Sequence, residues 1–197
     1  MAKKLYAEGA TLDDKKHFER YLAEDEELVQ ATGYGTNYLR HQFALYIVLP
    51  GGIFWLLGAG LSWLTGYNIG YGLLLGLVLS MLYAYLRTVL LYHSHRYLLT
   101  TRRVIIKNGF FSVKLITALY DKITHIEVDQ SFVDRAIMKH GNIIINTAGG
   151  NKDEIQIENI DEPIEFKNLL ERLINREREH YGRQGGSVVT LEGELVD

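Results

Sequence analysis

The hydrophobic and polar positions of this chain change their pattern twice. Residues 42–64 and 69–86 contain no charged side chain, and only four residues, 65–68, separate the two apolar segments. A helix of roughly 20 apolar residues crosses about 30 Å of hydrocarbon. The first segment has this length, and the second reaches it when residues 87–92 are included. The pattern predicts a membrane hairpin of two spanning helices over residues 42–92.

After Arg96 the pattern alternates with a period of two, which is typical of β-strands. We predict short strands separated by turns: Tyr97–Thr101, Val104–Lys107, Ser112–Leu119, Ile123–Asp129, Asn142–Thr147 and a last strand around Ile155 and Ile157. On the third of these, Val113, Leu115, Thr117 and Leu119 share one face. Such spacing indicates an antiparallel sandwich or barrel.

The last ordered pattern is a helical stripe that consists of Phe166, Leu169, Leu170, Leu173 and Ile174. We expect this helix to be capped by Asp161, to begin near Pro163 and to run to about residue 181. The predicted fold class is therefore α+β: a membrane hairpin followed by an antiparallel domain that a C-terminal helix closes.

Four regions follow from these patterns. Residues 1–41 form a cytoplasmic N-terminal segment with a short amphipathic helix behind Thr11, an acidic turn at 24–27 that we expect to be solvated, and an extended link over 28–38. Residues 42–92 form the hairpin and residues 93–181 form the domain. Residues 182–197 have little periodicity and are predicted to be a flexible tail.

Charge gives the hairpin a predicted orientation. The net charge is −3 and the chain has no cysteine, which excludes disulfides. The turn at 65–68 has no Lys or Arg, whereas Arg40 and Arg87 flank the hairpin and residues 93–150 carry eight basic against four acidic side chains. Basic residues near span ends stay on the cytoplasmic side. We therefore expect a multi-pass protein of a bacterial-type cytoplasmic membrane with both termini in the cytoplasm.

Small residues within the hairpin recur at four-residue spacing: Gly58 and Ser62 on the first helix, and Gly72, Gly76 and Ser80 on the second. Such residues let helix backbones approach closely in lipid. The interpretation that we favour is packing of the two helices against each other. The alternative is a contact between two copies of the chain.

Five basic residues that follow the hairpin form a predicted lipid-facing surface: Arg96, Arg102, Arg103, Lys107 and Lys114. Cations beside a membrane attract anionic headgroups. The alternative is that these side chains are solvated strand ends. The modest positive charge of this region does not favour nucleic acid as a partner.

No pattern in the sequence assigns a catalytic residue, a metal ligand set or a cofactor. His93 and His95, with His41 at a similar depth, would be too few ligands for a metal site. His125, Glu127 and Asp129 share a strand face that is better explained as solvated. The spans contain no Asp, Glu or Lys of the kind that transport pathways require.

An ordered series of segments resembles the bacterial pleckstrin-homology (PH) domain of membrane-anchored proteins: Arg96–Thr100, Arg103–Ile106, Gly109, Ile123–Val128, Gln130–Ser131, Arg135 and Gly141–Thr147. The resemblance covers roughly residues 40–176. It implies a PH-like antiparallel fold and no general catalytic activity. Eukaryotic PH domains bind inositol phosphates near the loop between their first two strands; here we expect that loop to be 101–103, which is too short for such a site.

Three functions remain open at this stage. The first is a membrane-anchored module that docks a protein partner or assembles with itself. The second is a nonspecific binder of anionic lipid headgroups, and the third, ranked last, is an enzyme.

Cysteine labelling tests the predicted orientation, because the chain has no cysteine of its own. Single variants Asn68→Cys and Asn151→Cys are treated with an impermeant thiol reagent on intact cells. We expect labelling of the first variant alone, since the connecting turn would be external. Labelling of the second variant alone would contradict this orientation and indicate the opposite one.

Overall fold

The computed structural model describes residues 6, 8–132, 134–135, 139–148 and 154–186, apart from the side chains of residues 154 and 181–186. The helices and strands follow in this order: α1 Leu12–Phe18, β1 Leu28–Gly33, α2 Thr36–Thr65, α3 Ile69–Ser94, β2 His95–Thr100, β3 Arg103–Asn108, β4 Lys114–Leu119, β5 Ile123–Asp129, β6 His140–Thr147, β7 Glu154–Asp161 and α4 Pro163–Gly186. Short 3₁₀ helices lie at Glu19–Tyr21 and Tyr120–Lys122.

Helices α2 and α3 form an antiparallel hairpin that is apolar on its outside. Both are long and apolar enough to cross a membrane by length and composition, and only 11% and 17% of their most apolar windows are buried. A core helix of a soluble protein would bury most of such a surface. Gly66 ends α2 in a left-handed conformation, and the Asn68 side chain accepts a hydrogen bond from the Gly70 N–H at 2.8 Å.

The two helices touch through their small residues. Gly58, Ser62, Gly72, Gly76 and Ser80 are all buried. A Cβ added at Gly72 would lie 2.0 Å from the backbone oxygen of Gly58, and one added at Gly76 would lie 2.5 Å from that of Phe54. This face is therefore filled within one chain by the facing helix.

Strand β1 joins the N-terminal segment to the domain. It pairs antiparallel with β2, in a register that includes Ala31 opposite Leu98 and Gly33 opposite Arg96. Since β1 precedes the hairpin and β2 follows it, the two ends of the hairpin lie side by side in one sheet. The expected extended link over 28–38 is thus a sheet strand followed by the start of α2, which begins at Thr36 rather than at Gln42.

The domain consists of two antiparallel sheets, β1-β2-β3-β4 and β5-β6-β7, with α4 packed against their shared core. The core includes one side chain from each layer that is fully buried: Tyr97, Ile143 and Phe166. The prediction of two apolar helices followed by an antiparallel domain and a closing helix is confirmed. The sheets are not closed into a barrel.

Helix α1 packs on the outer face of the first sheet. Thr11 caps it by accepting from the Asp14 N–H at 3.2 Å. Phe18 lies with Leu28, Leu98 and Ile105 in a second buried cluster. Of the two surfaces considered for such a helix, the membrane and the domain, the structure uses the domain.

Two predictions for the end of the domain need correction. Helix α4 continues to Gly186, so residues 182–186 are helical rather than part of a tail; residues 187–197 lie outside the described part of the chain. Asp161 does not cap α4. Its carboxylate instead accepts hydrogen bonds from the N–H and the hydroxyl of Thr36, at 2.7 and 2.9 Å, and so caps α2.

A matched pair of glycine variants tests the helix packing. We expect Gly72→Ala to lower the free energy of unfolding of the hairpin by about 1–3 kcal/mol, because its Cβ meets backbone that cannot move aside. Gly60→Ala is the control, since a Cβ there meets nothing within 4 Å. The measurement is SDS-induced loss of interhelical proximity in detergent-solubilised protein. Equal stability of the two variants would contradict this packing.

Candidate interaction site

The five basic residues of the predicted surface lie at two opposite ends of the first sheet. Arg96 and Lys107 are cross-strand partners near the point where α3 ends, and Lys114 lies opposite Asn108 in the next strand. Arg102 and Arg103 lie at the turn where β2 meets β3. Six residues at about 3.3 Å each separate the two ends by nearly 20 Å. The single basic surface expected from the sequence is therefore divided.

The end near the hairpin keeps its cations close to the last turn of α3. The Arg96 guanidinium lies 4.1 Å from the centre of the Tyr92 ring. The Gly109 N–H donates to the carbonyl of Ser94 at 2.7 Å, which fixes the start of the β3–β4 loop beside the end of the helix. Arg96, Lys107 and Lys114 are therefore the members of the set that lie where the hairpin meets the domain.

At the far end, Glu26 holds the turn between β2 and β3. Its carboxylate accepts hydrogen bonds from Arg103 Nη2 at 2.6 Å, from the Thr100 hydroxyl at 2.6 Å and from the Ala23 N–H at 3.1 Å. Only 1% of the Glu26 side chain is exposed. Burial acts to raise the pKa of Glu26, but these hydrogen bonds outweigh it and hold the pKa below its ordinary value.

Arg102 is also paired at this end, with Asp25, and it lies 3.9 Å from Glu177 of α4. Arg102 and Arg103 therefore serve the attachment of the acidic turn, remote from the hairpin of α2 and α3. The expectation that this turn is solvated is wrong for Glu26. Sequence spacing gave no sign of the pairing, because 77 positions separate Glu26 from Arg103.

Strand β4 is the edge of the first sheet, and its outer face is apolar. Val113, Leu115 and Leu119 are each nearly half exposed. The Phe18 cluster covers residues of β1, β2 and β3 but no residue of β4. The shared face that the alternation predicts is thus real, and it faces outward, while Ala118 is buried on the inner face.

The backbone of β4 also has hydrogen-bonding groups that have no partner within the part of the chain that the structure describes. The Tyr120 N–H donates to the Arg102 carbonyl at 3.0 Å in line with the β3–β4 register. Because bonded and non-bonded pairs alternate in an antiparallel ladder, the N–H and C=O groups of Leu115, Thr117 and Leu119 point away from β3. Beside this edge lies a groove of about 570 Å³ that extends to the end of β6 and the start of β7.

The joint between helices and domain is polar and well packed. The Tyr34 ring stacks on His95 at 4.2 Å, and the Tyr34 hydroxyl donates to the Glu158 carboxylate at 3.4 Å. Tyr97 both donates to the carbonyl of Glu158 and accepts from its N–H, at 3.1 Å each. Burial lowers the pKa of His95. This burial favours the neutral form of the ring.

The other candidate groups are not gathered into a site. The His93 ring contacts the carbonyl of Val89, while His95 packs inward against Tyr34. His125, Glu127 and Asp129 are exposed on β5. Within the described ranges, no group of three or more His, Asp or Glu side chains is arranged to hold a metal ion.

Comparison with known families matches residues 42–174 to the bacterial PH domain. This range is more than half of the chain. The chain belongs to the bacterial PH domain family. The matched range begins after β1, although β1 completes the first sheet.

The solved structures that are similar to this chain include a DUF1696-family protein with a pleckstrin-homology domain from Shewanella loihica. The two share 11% sequence identity with a TM-score of 0.42, and the match covers 84% of this chain and 99% of the other. The search of curated proteins gave no match.

In this bacterial PH domain protein, the loop between the first two strands is the helical hairpin itself. Residues 101–103, which the sequence predicts to be that loop, instead connect the second and third strands, β2 and β3. With β1 included, α2 and α3 occupy the connection. The position that the resemblance links to inositol phosphates is therefore occupied by two apolar helices.

Variants of Glu26 test how the far end is held. We expect Glu26→Ala to lower the free energy of unfolding of the domain by about 2–4 kcal/mol, because Arg103 and Thr100 lose their partner. Because the Arg103 side chain is partly exposed, solvent screens its interaction with Glu26, and we expect the loss of free energy to lie near the lower end of this range. Urea denaturation of the solubilised protein measures it, with the exposed Glu24→Ala as the control.

The same site predicts a pH dependence. The pKa of Glu26 is lower in the folded state than its ordinary value of 4.5. Its contribution to stability is therefore complete above that value and is lost as the pH falls through the folded pKa. Glu26→Gln should be less sensitive to acid over this range than the parent; an identical acid profile would contradict the assignment.

Proposed function

We propose that this protein is a membrane-anchored interaction module whose domain docks a protein partner along strand β4 at the cytoplasmic face. The family supports a general interaction module, and the two apolar helices are of a length that suits an anchor. Helix α3 has 26 residues, about 39 Å, which exceeds the roughly 30 Å of hydrocarbon. The basic residues at the base of the hairpin favour the cytoplasmic orientation.

The edge of β4 is the observation that carries the docking proposal. Edge strands with open backbone groups are usually covered, shortened or charged to prevent pairing. This edge instead presents Leu115 and Leu119 beside outward N–H and C=O groups, and a groove follows it. A partner strand added here would extend the first sheet, with main-chain hydrogen bonds for affinity and the leucines for specificity.

Lipid binding is a second candidate, favoured by the position of Arg96, Lys107 and Lys114 at the base of the hairpin. It uses three of the five residues named from the sequence, since Arg102 and Arg103 are occupied at the far end. Anionic headgroups contribute about 1 kcal/mol per nearby cation. Weak, salt-sensitive binding of this kind complements docking at β4 and does not replace it.

Self-association through the small residues of α3 is not favoured, because Gly72 and Gly76 already contact α2. A second copy of the chain would have to use another surface, of which the β4 edge is one. The family points to a non-catalytic module, and the described residues offer no gathered set of acid, base and nucleophile.

Substitution at Thr117 tests docking at β4. Thr117→Pro removes the N–H of residue 117, because proline lacks this donor. This N–H points away from β3, so the hydrogen bonds between β3 and β4 remain. With a photo-crosslinker at Leu119 in native membranes, we expect the yield of a crosslinked partner to fall by about tenfold. Thr117→Ala keeps the N–H and should retain the crosslink. A yield unchanged by proline, with the domain still folded, would remove β4 as the docking edge.

A further inference from the structure

The loop between β3 and β4 presents two phenylalanines that the domain does not bury. Phe111 is 91% exposed and Phe110 is 48% exposed, and their rings meet edge to face at 4.9 Å. The Phe110 ring also lies 6.5 Å from the His93 ring in the last turn of α3. The loop therefore extends alongside the helix instead of away from it.

The depth of this loop follows from the length of α3. If the hydrocarbon begins at Ile69, its roughly 30 Å cover about 20 residues and end near Thr88. His93 then lies about 7 Å beyond that boundary, at the outer edge of the headgroup layer of a bilayer that is about 40–45 Å thick in total. Phe110, which contacts His93, is held at this level, and the more exposed Phe111 extends from it.

The charges around the loop match the same location. Lys107 and Lys114 flank it in sequence, and Arg96 is the cross-strand partner of Lys107. Aromatic rings with cations beside them are typical of segments that lie at a membrane interface. The long stems of lysine can reach headgroup phosphates while the rings lie deeper.

We propose that Phe110 and Phe111 insert into the boundary between headgroups and acyl chains of the leaflet from which the hairpin emerges. The β3–β4 loop is then a third attachment to the membrane, after α2 and α3, and Lys107 and Lys114 contact anionic headgroups. This inference rests on the proposed anchor. Its consequence is that the domain has a fixed face toward the bilayer, so that β4 runs from the membrane surface toward the cytoplasm.

Depth-dependent quenching tests the proposal on the full-length protein. Single cysteines are introduced at Phe111→Cys, Leu86→Cys and Glu24→Cys and are labelled with an environment-sensitive fluorophore. The protein is reconstituted in vesicles of phosphatidylethanolamine and phosphatidylglycerol that carry a spin-labelled lipid near the headgroup or deep in the acyl chain. Leu86 is an outward-facing residue of α3, and Glu24 lies at the far end of the domain.

We expect the label at 111 to lose most of its emission with the shallow quencher alone, the label at 86, about 3 Å inside the hydrocarbon boundary, to be quenched by both lipids, and the label at 24 to be unaffected. Quenching at 86 without quenching at 111 would overturn the loop insertion while leaving the anchor intact. Absence of quenching at 86 would overturn the anchor, and the loop insertion with it. A label at 111 that lipid does not quench but native membranes shield from iodide would mean that the rings bind a protein, and it also overturns the proposal.

A second variant tests whether the rings themselves cause the insertion. The label is moved to Ser112→Cys, and Phe110→Ser and Phe111→Ser are added to it. We expect shallow quenching at 112 to be lost in the triple variant and retained in Ser112→Cys alone, with quenching at 86 unchanged in both. Quenching at 112 that survives loss of both rings would contradict their role.

Discussion

The backbone pairing of β1 with β2 is the constraint on which the rest of this structure depends. These strands lie on either side of the hairpin in sequence, and their ladder holds the two ends of α2 and α3 together. The close approach that follows leaves room only for glycine at Gly35, where a Cβ would lie 2.2 Å from the Asp161 carboxylate that caps α2. The domain and the hairpin are thus joined by backbone as well as by side chains.

The same pairing explains why the two ends of the first sheet differ. Toward the hairpin, Tyr34, His95 and Tyr97 pack into one polar joint, and the β3–β4 loop lies beside α3. Away from the hairpin, β1 begins directly after the acidic turn, so Glu26 reaches Arg103. The cations of one end remain available for partners, while those of the other end are used within the fold. Strand β4 runs between these two ends, and no described strand pairs with its outer edge.

Much of the architecture could be predicted from the sequence, because apolar length, period-two alternation and the stripe of α4 are local signals. The hairpin, the antiparallel domain and the closing helix follow from them. What local signals could not give is long-range pairing. Residues 28–33 are predicted to be a link, because their partner strand lies beyond the hairpin. Asp161 is predicted to cap the next helix, whereas it caps α2. Arg102 and Arg103 are predicted to be surface cations, because Asp25 and Glu26 are distant in sequence. The outward face of β4 was visible as a pattern, but which side the core occupied was not.

Hydrogen exchange of residues 28–33 in the full-length protein, reconstituted in lipid, tests the central claim most directly. If β1 completes the sheet across the hairpin, those of its amides that point toward β2 should be protected to about the same degree as the amides of β2 and β3, because they share one ladder. Exchange of residues 28–33 at the rate of an open chain, with β2 and β3 still protected, would contradict the account and return this segment to a simple link.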